Sequence, residues 1–288
     1  MGTYAITGAA SGMGKESAAR LRAGGHTVIG VDLHDAEIVA DLSTAEGRAG
    51  AAARVLESSE GRLDGAVLAA GLGPAPGREA IISQVNFFGT TELLTAWRPA
   101  LAAAAAEADA PTSKVVVFAS NSATTTPGIP GTLVSAFLGN RPERLRRSLA
   151  VFGKNAPAFA YGGSKLALSR WVRRQAVTAQ WAGAGIRLNA IAPGAVLTPL
   201  LQSQLDGEGH GQIEAFPIPT GGYGRPEQIA EWVTFMLSPA AEFLCGSIIY
   251  VDGGTDAYFR GDDWPAAMSF LALPRWLRLS RAWARRAG

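Results

Sequence analysis

The chain has 288 residues, 48% of them hydrophobic, with 26 basic and 24 acidic side chains and a formal net charge of +2. That balance supports a large core and gives no global field for nucleic acid. The single cysteine, Cys245, rules out an internal disulfide, and three histidines without a zinc-ligand spacing point to no metal. No run approaches the ~20 apolar residues of a membrane span, and the first residues lack a secretory pattern, so a reducing, cytoplasmic setting is expected.

A first strand, TYAIT from Thr3, runs into TGAASGMGK and then a helical stretch over Lys15 to Ala23. Gly8, Gly12 and Gly14 therefore fall where a strand turns into a helix. Glycine lets the backbone come close to a phosphate, and the free amides of a first helical turn favour negative charge, so Gly8, Ser11, Gly12, Met13 and Gly14 read as a pyrophosphate cradle. A nucleoside-triphosphate loop would need glycine at position 9 and Ser or Thr at 16, where Ala9 and Glu16 stand. The second strand, HTVIGVD, closes on Asp32, 18 residues after Gly14, with Leu33 and His34 following. A carboxylate there accepts from adenosine ribose hydroxyls and repels a 2′-phosphate, and no Arg or Lys adjoins it, which selects NAD over NADP.

A weaker strand, AEIVADL, and a helix over Ala45 to Leu56 precede the strand GAVLAA, a long helix around Asn86 to Ala106 and the strand KVVVFAS. Residues 123–157 are too long for a simple connection and read as an insert carrying one or two short helices. The next helix, Ala158 to Ala182, opens with AYGGSKLALS, in which Tyr161 and Lys165 are four apart and share a face. An ammonium beside a phenol favours its ionised form and makes it an acid/base working nearer neutral pH. The strand IRLNAIA, a helix over Pro226 to Leu237 and the strand SIIYVDGG follow. Nearly continuous apolar strands alternating with helices specify an α/β fold: a single-domain, Rossmann-type, doubly wound parallel sheet of about seven strands over residues 1–257.

Residues 195–220 are apolar at first, then polar and glycine-rich, and read as a mobile lid over a substrate. The tail, 258–288, ends in LPRWLRLSRAWARRAG, with Trp276, Leu279 and Trp283 on one helical face and Arg275, Arg278, Arg281 and Arg285 beside it. The expectation is that this stripe packs on its own protein or a partner subunit rather than on an anionic membrane.

TGAASGMG, Asp32, LAAG at 68–71, Asn86 in VNFFGT, the serines of FASNSA, Tyr161-Gly-Gly-Ser-Lys165, and APG at 192–194 with Thr198 occur in one order. In that set the chain resembles the short-chain dehydrogenases/reductases over roughly residues 3–255. Within the family it is most similar to the bacterial 3α-hydroxysteroid dehydrogenase/carbonyl reductase type, through DAEIVADLSTAEGR, LAAGLGP and the insert before Tyr161.

The resemblance implies a hydride transfer between NAD and a secondary alcohol or ketone, in which Tyr161 moves the hydroxyl proton. Lys165 would lower the Tyr161 pKa and hold the nicotinamide ribose, Asn86 would anchor a water joining Lys165 to solvent, and Ser120 would bond the substrate oxygen. Ser122, two residues on, is a rival or partner for that oxygen. Asp41 and Leu42 would flank the adenine, Ala70 and Gly71 the ribose and pyrophosphate, and Pro193, Gly194, Val196 and Thr198 the nicotinamide. Val196, Leu197, Leu200, Leu201 and Phe216 would face an apolar substrate, such as a 3α-hydroxysteroid or, alternatively, an aromatic or terpenoid alcohol. A homo-oligomer, dimer or tetramer, is implied. Ser120 and Tyr161 stand 41 positions apart, more than in most members, and an insert of that length obstructs the family's usual dimer contact through the Tyr-bearing helix. The rival of another class is a non-catalytic NAD-binding sensor.

Overall fold

The structure, a computed structural model, describes residues 1–107, 111–206 and 216–287. Seven strands, β1 (Thr3–Thr7), β2 (Thr27–Asp32), β3 (Ile38–Val39), β4 (Gly65–Leu68), β5 (Ser113–Phe118), β6 (Ile186–Pro193) and β7 (Ile248–Val251), form one sheet in the order β3-β2-β1-β4-β5-β6-β7. Every pairing is parallel. The helices are α1 (Gly12–Ala23), α2 (Ala45–Ser58), α3 (Glu79–Ser83), α4 (Thr90–Ala105), α5 (Ser122–Thr125), α6 (Gly131–Leu138), α7 (Pro142–Ala150), α8 (Ala156–Ala176), α9 (Pro199–Leu205), α10 (Pro226–Leu237), α11 (Thr255–Phe259) and α12 (Leu273–Ala287).

Period-two alternation sends successive strand residues to opposite layers. In β5, Val115 and Val117 join the layer built by α2, α4 and α8, while Val116 and Phe118 join the layer of α1 and α10. Both faces are thus covered, as an all-parallel sheet requires. The chain leaves β1 outward to β2 and β3, then returns so that β4 pairs with the other side of β1. That reversal opens a crevice beyond the carboxyl ends of β1 and β4.

Four elements differ from the sequence expectation. The weak third strand shortens to two residues, because Gly30 N donates to the Glu37 carboxylate at 2.9 Å and a side chain takes over from the ladder. The long helix around Asn86 is three pieces, with a π-helical turn at Gln84–Gly89 between α3 and α4. The helix α8 ends at Ala176 rather than 182, since Trp181 turns back and is buried edge-to-face on Trp171, with ring centroids 5.8 Å apart. Finally, the apolar stripe of α12 is not packed on the body: Trp276 is 49%, Leu279 54% and Trp283 69% exposed.

The insert folds as α6 and α7 and seats on α8. It does so over two glycines: a Cβ on Gly162 would lie 2.7 Å from Thr126 Oγ1, and one on Gly163 would lie 2.8 Å from Leu133 Cδ2. This face of the Tyr-bearing helix is therefore occupied within the chain itself.

Candidate active site

The crevice is a cavity of about 400 Å³. Its floor is the β1–α1 turn, where Gly8 and Gly12 have φ of +73° and +52°, values L side chains rarely adopt. A Cβ on Gly8 would sit 2.8 Å from Ala70 N, and one on Gly14 would overlap the Gly8 carbonyl oxygen. The Ser11 side chain caps none of the first-turn amides of α1, so they remain available to an anion. This bare, positively polarised cradle fits a pyrophosphate.

Asp32 lines the same cavity with its carboxylate fixed twice: Oδ2 accepts from Ala10 N at 2.8 Å and Oδ1 from Leu33 N at 2.7 Å. Asp41, also on the wall, accepts from Ser43 N at 2.8 Å, and bonding to Ser43 holds its carboxyl below the ordinary value. Arg48 supports this wall from beneath. Its buried guanidinium pairs with Glu92 at 2.6 Å and donates to Leu42 O at 3.2 Å and Gln84 Oε1 at 3.1 Å, joining the adenine side of the cleft to the π-helical turn.

That turn presents Asn86, fully buried. Its amide is spent on one neighbour: Oδ1 accepts from Leu72 N at 2.8 Å and Nδ2 donates to Leu72 O at 2.9 Å. Through this pair of bonds the Asn86 side chain clamps the segment after β4 at Leu72. A Cβ on Gly71 would lie 3.3 Å from Asn86 Oδ1 and 3.6 Å from Lys165 Nζ, which places Lys165 next to Gly71 of the cavity wall.

Burial lowers the Lys165 pKa to about 8, and its ammonium donates to Phe118 O at 2.7 Å. Burial raises the Tyr161 phenol above its ordinary value of 10.0, and the hydroxyls of Ser120 and Ser122 pull it back down. The Lys165 ammonium is turned to the Phe118 carbonyl at the end of β5. Ser122 N donates to Ser120 Oγ at 3.2 Å. Ser122 Oγ is buried and makes no formed hydrogen bond, although it lies close enough to act on Tyr161. Because α8 runs past the end of β5, one helix face and one strand end bring Ser120, Ser122, Tyr161 and Lys165 together.

Of the dinucleotide contacts expected from sequence, Gly8, Ser11, Gly12, Met13, Gly14, Asp32, Leu33, Asp41, Leu42, Ala70, Gly71 and Thr198 line the cavity. Pro193, Gly194, Val196, Tyr161 and Lys165 do not. Val196 is buried among Ile229 and Val233 of the α10 layer, and Gly194 is pressed on Asp252, where a Cβ would come within 2.7 Å. Among the substrate candidates, Leu200 reaches the cavity wall, Leu201 is buried, Leu197 is exposed, and Phe216 packs on Phe259 with centroids 5.7 Å apart. Sequence reasoning missed Arg78, Ile81 and Val85 on that wall, which lie just before α3, in α3 and in the π-helical turn and carry no motif. Of the expected lid, 207–215 lie outside the described residues.

A family model described as enoyl-(acyl carrier protein) reductase matches residues 147–256. Over 90% of this chain and 98% of its own length, the 3-alpha-hydroxysteroid dehydrogenase/carbonyl reductase of Comamonas testosteroni is 40% identical. The chain belongs to the short-chain dehydrogenase/reductase family. It is an oxidoreductase of that family by the same likeness. The coniferyl-alcohol dehydrogenase of Pseudomonas sp. is 30% identical over 86% of this chain and 94% of its own. In structure, the 3-alpha-hydroxysteroid dehydrogenase of Pseudomonas sp. B-0831, solved with NADH, superposes with a TM-score of 0.83 at 39% identity, covering 90% of this chain and 99% of that one.

Proposed function

We propose that this short-chain dehydrogenase/reductase interconverts a bulky, apolar secondary alcohol and its ketone with NAD, a 3α-hydroxysteroid being the first substrate to try. The observation that carries the reading is the pair of serine hydroxyls at the Tyr161 phenol, in the same fold as a cavity whose floor is a bare pyrophosphate cradle. The bound nicotinamide supplies the hydride acceptor or donor. Tyr161 takes the proton from the carbinol oxygen or returns it to the carbonyl. Ser120 and the unpartnered Ser122 hold that oxygen where charge develops. Lys165 holds the nicotinamide ribose, Asn86 fixes the wall behind it, and Asp32 meets the adenosine ribose hydroxyls. The relatives named above support a steroid and an aromatic alcohol as the two leading substrate classes.

Residues 1–257 carry this activity, with 123–157 as an insert. The one free cysteine suits a cytoplasmic setting, and no helix among the described residues is long and apolar enough to cross a membrane. A homo-oligomer, dimer or tetramer, is supported by the half-exposed edge strand β7 and by exposed Trp232 and Phe235 on α10.

Incubation of the protein with NAD and a panel of steroid, aromatic and terpenoid alcohols, read as NADH absorbance, tests the substrate class. Tyr161→Phe should retain NAD binding and lose kcat by about a thousandfold or more. Equal turnover of variant and parent takes Tyr161 out of the mechanism, and binding of NAD with no turnover of any alcohol by the parent favours the sensor.

A further inference from the structure

We propose that α12 docks the protein on an anionic lipid surface. Leu273, Trp276, Leu277, Ser280 and Trp283 recur at helical spacing along one side of the helix. The four large apolar side chains among them are each more than a third exposed, so the body of the protein does not cover them. Phe270 and Leu271, just before the helix, are more exposed still.

The other side carries Arg275, Arg278, Arg281 and Arg285, all exposed. Among the described residues none of these guanidiniums pairs with a carboxylate. From Trp264 to Gly288 the sequence contains no Asp, Glu or Lys, so the segment cannot neutralise itself. Its occupant must supply an apolar bed and negative charge along the same line.

A lipid interface does both: acyl chains take the leucines and the bodies of the tryptophans, and phosphates take the arginines. A second α12 supplies only the first. It brings a second row of arginines and no negative charge to meet the first. The helix has 15 residues, about 22 Å in length, too short and too charged to cross a bilayer. It lies in the interface plane.

The test is co-sedimentation of the full chain with vesicles of phosphatidylcholine alone and of phosphatidylcholine with about one-third phosphatidylglycerol. Binding is expected to the anionic vesicles only, weakening with added salt. Two variants carry the argument: Arg275→Gln/Arg278→Gln/Arg281→Gln and Trp276→Ala/Trp283→Ala. Each should bind anionic vesicles at least about tenfold more weakly, because lost charge and lost buried apolar area act independently. NAD binding should be unchanged in both, which shows that they fold. The parent failing to bind anionic vesicles, or binding neutral ones equally, overturns the proposal. A parent mass in solution that falls in the tryptophan variant also overturns it and assigns the face to a second copy.

Discussion

At the scale of single residues, the site divides between side chains that act and backbone that receives. Asp32 belongs to both groups, since two amides hold its carboxylate in place on the cavity wall. A fixed negative charge repels a 2′-phosphate far more than a mobile one, which turns away at little cost. Asp32→Ala should therefore reduce the kcat/KM preference for NAD over NADP by at least about tenfold. Steady-state rates with both cofactors measure this directly, and a parent that favours NADP removes the role given to Asp32. Sequence favours Ser120 over Ser122 for the substrate oxygen, because Ser120 directly follows the apolar run of β5, although both lie at one strand end. Their bonding separates them: Ser120 Oγ already accepts from Ser122 N, whereas Ser122 Oγ is buried with its bonding capacity unused. Such an orphan is costly in a finished core and ordinary where a ligand oxygen completes it.

At the scale of elements, the insert is the feature that sets this chain's own surface. The sequence announces it by length alone, as 41 positions between Ser120 and Tyr161, but not where it lies. Its seat depends on Gly162 and Gly163, which read in the sequence as spacing between two reactive residues and prove to be the floor under Thr126 and under Leu133 of α6. Gly163→Val would drive a branched side chain into buried Leu133, so the expected loss is about 2 kcal/mol of stability, the usual range for overpacking. Urea unfolding measures it, and a loss below about 0.5 kcal/mol means that α6 yields without strain. The strands were the most legible elements, since buried parallel strands are continuous apolar runs. The π-helical turn was not legible: its six residues carry helix-compatible side chains, and only the backbone register changes.

At the scale of the whole molecule, the buried ammonium of Lys165 ties stability to pH. Its pKa of about 8 in the folded protein lies below the 10.5 of an unperturbed lysine. Between these values the unfolded chain binds more protons than the folded one, so stability rises with pH. The cofactor-free protein should gain about 2 kcal/mol from pH 8 to pH 10. Above pH 10 the trend opposes this, because burial keeps Tyr4, Tyr161 and Tyr250 neutral after their unfolded counterparts ionise. Denaturation midpoints at the two pH values should show the rise in the parent and its absence in Lys165→Met; a rise that persists in the variant belongs to other groups. The order of motifs along the chain was enough to specify sheet, crevice and reactive set, because each motif marks a strand end. The cavity wall around α3 was not, because nothing in Arg78 or Ile81 distinguishes them from surface residues until the chain closes.

The contact of Gly14 with the Gly8 carbonyl joins the seat of the nucleotide to the seat of the first helix on the first strand. A methyl group there would pry the two elements apart, so the chain has no way to close its crevice and keep its architecture. Descendants that abandoned turnover would still display the hollow. Genuine loss of activity in such offspring would be written at the phenol and its serines, and the empty-looking groove would outlast it.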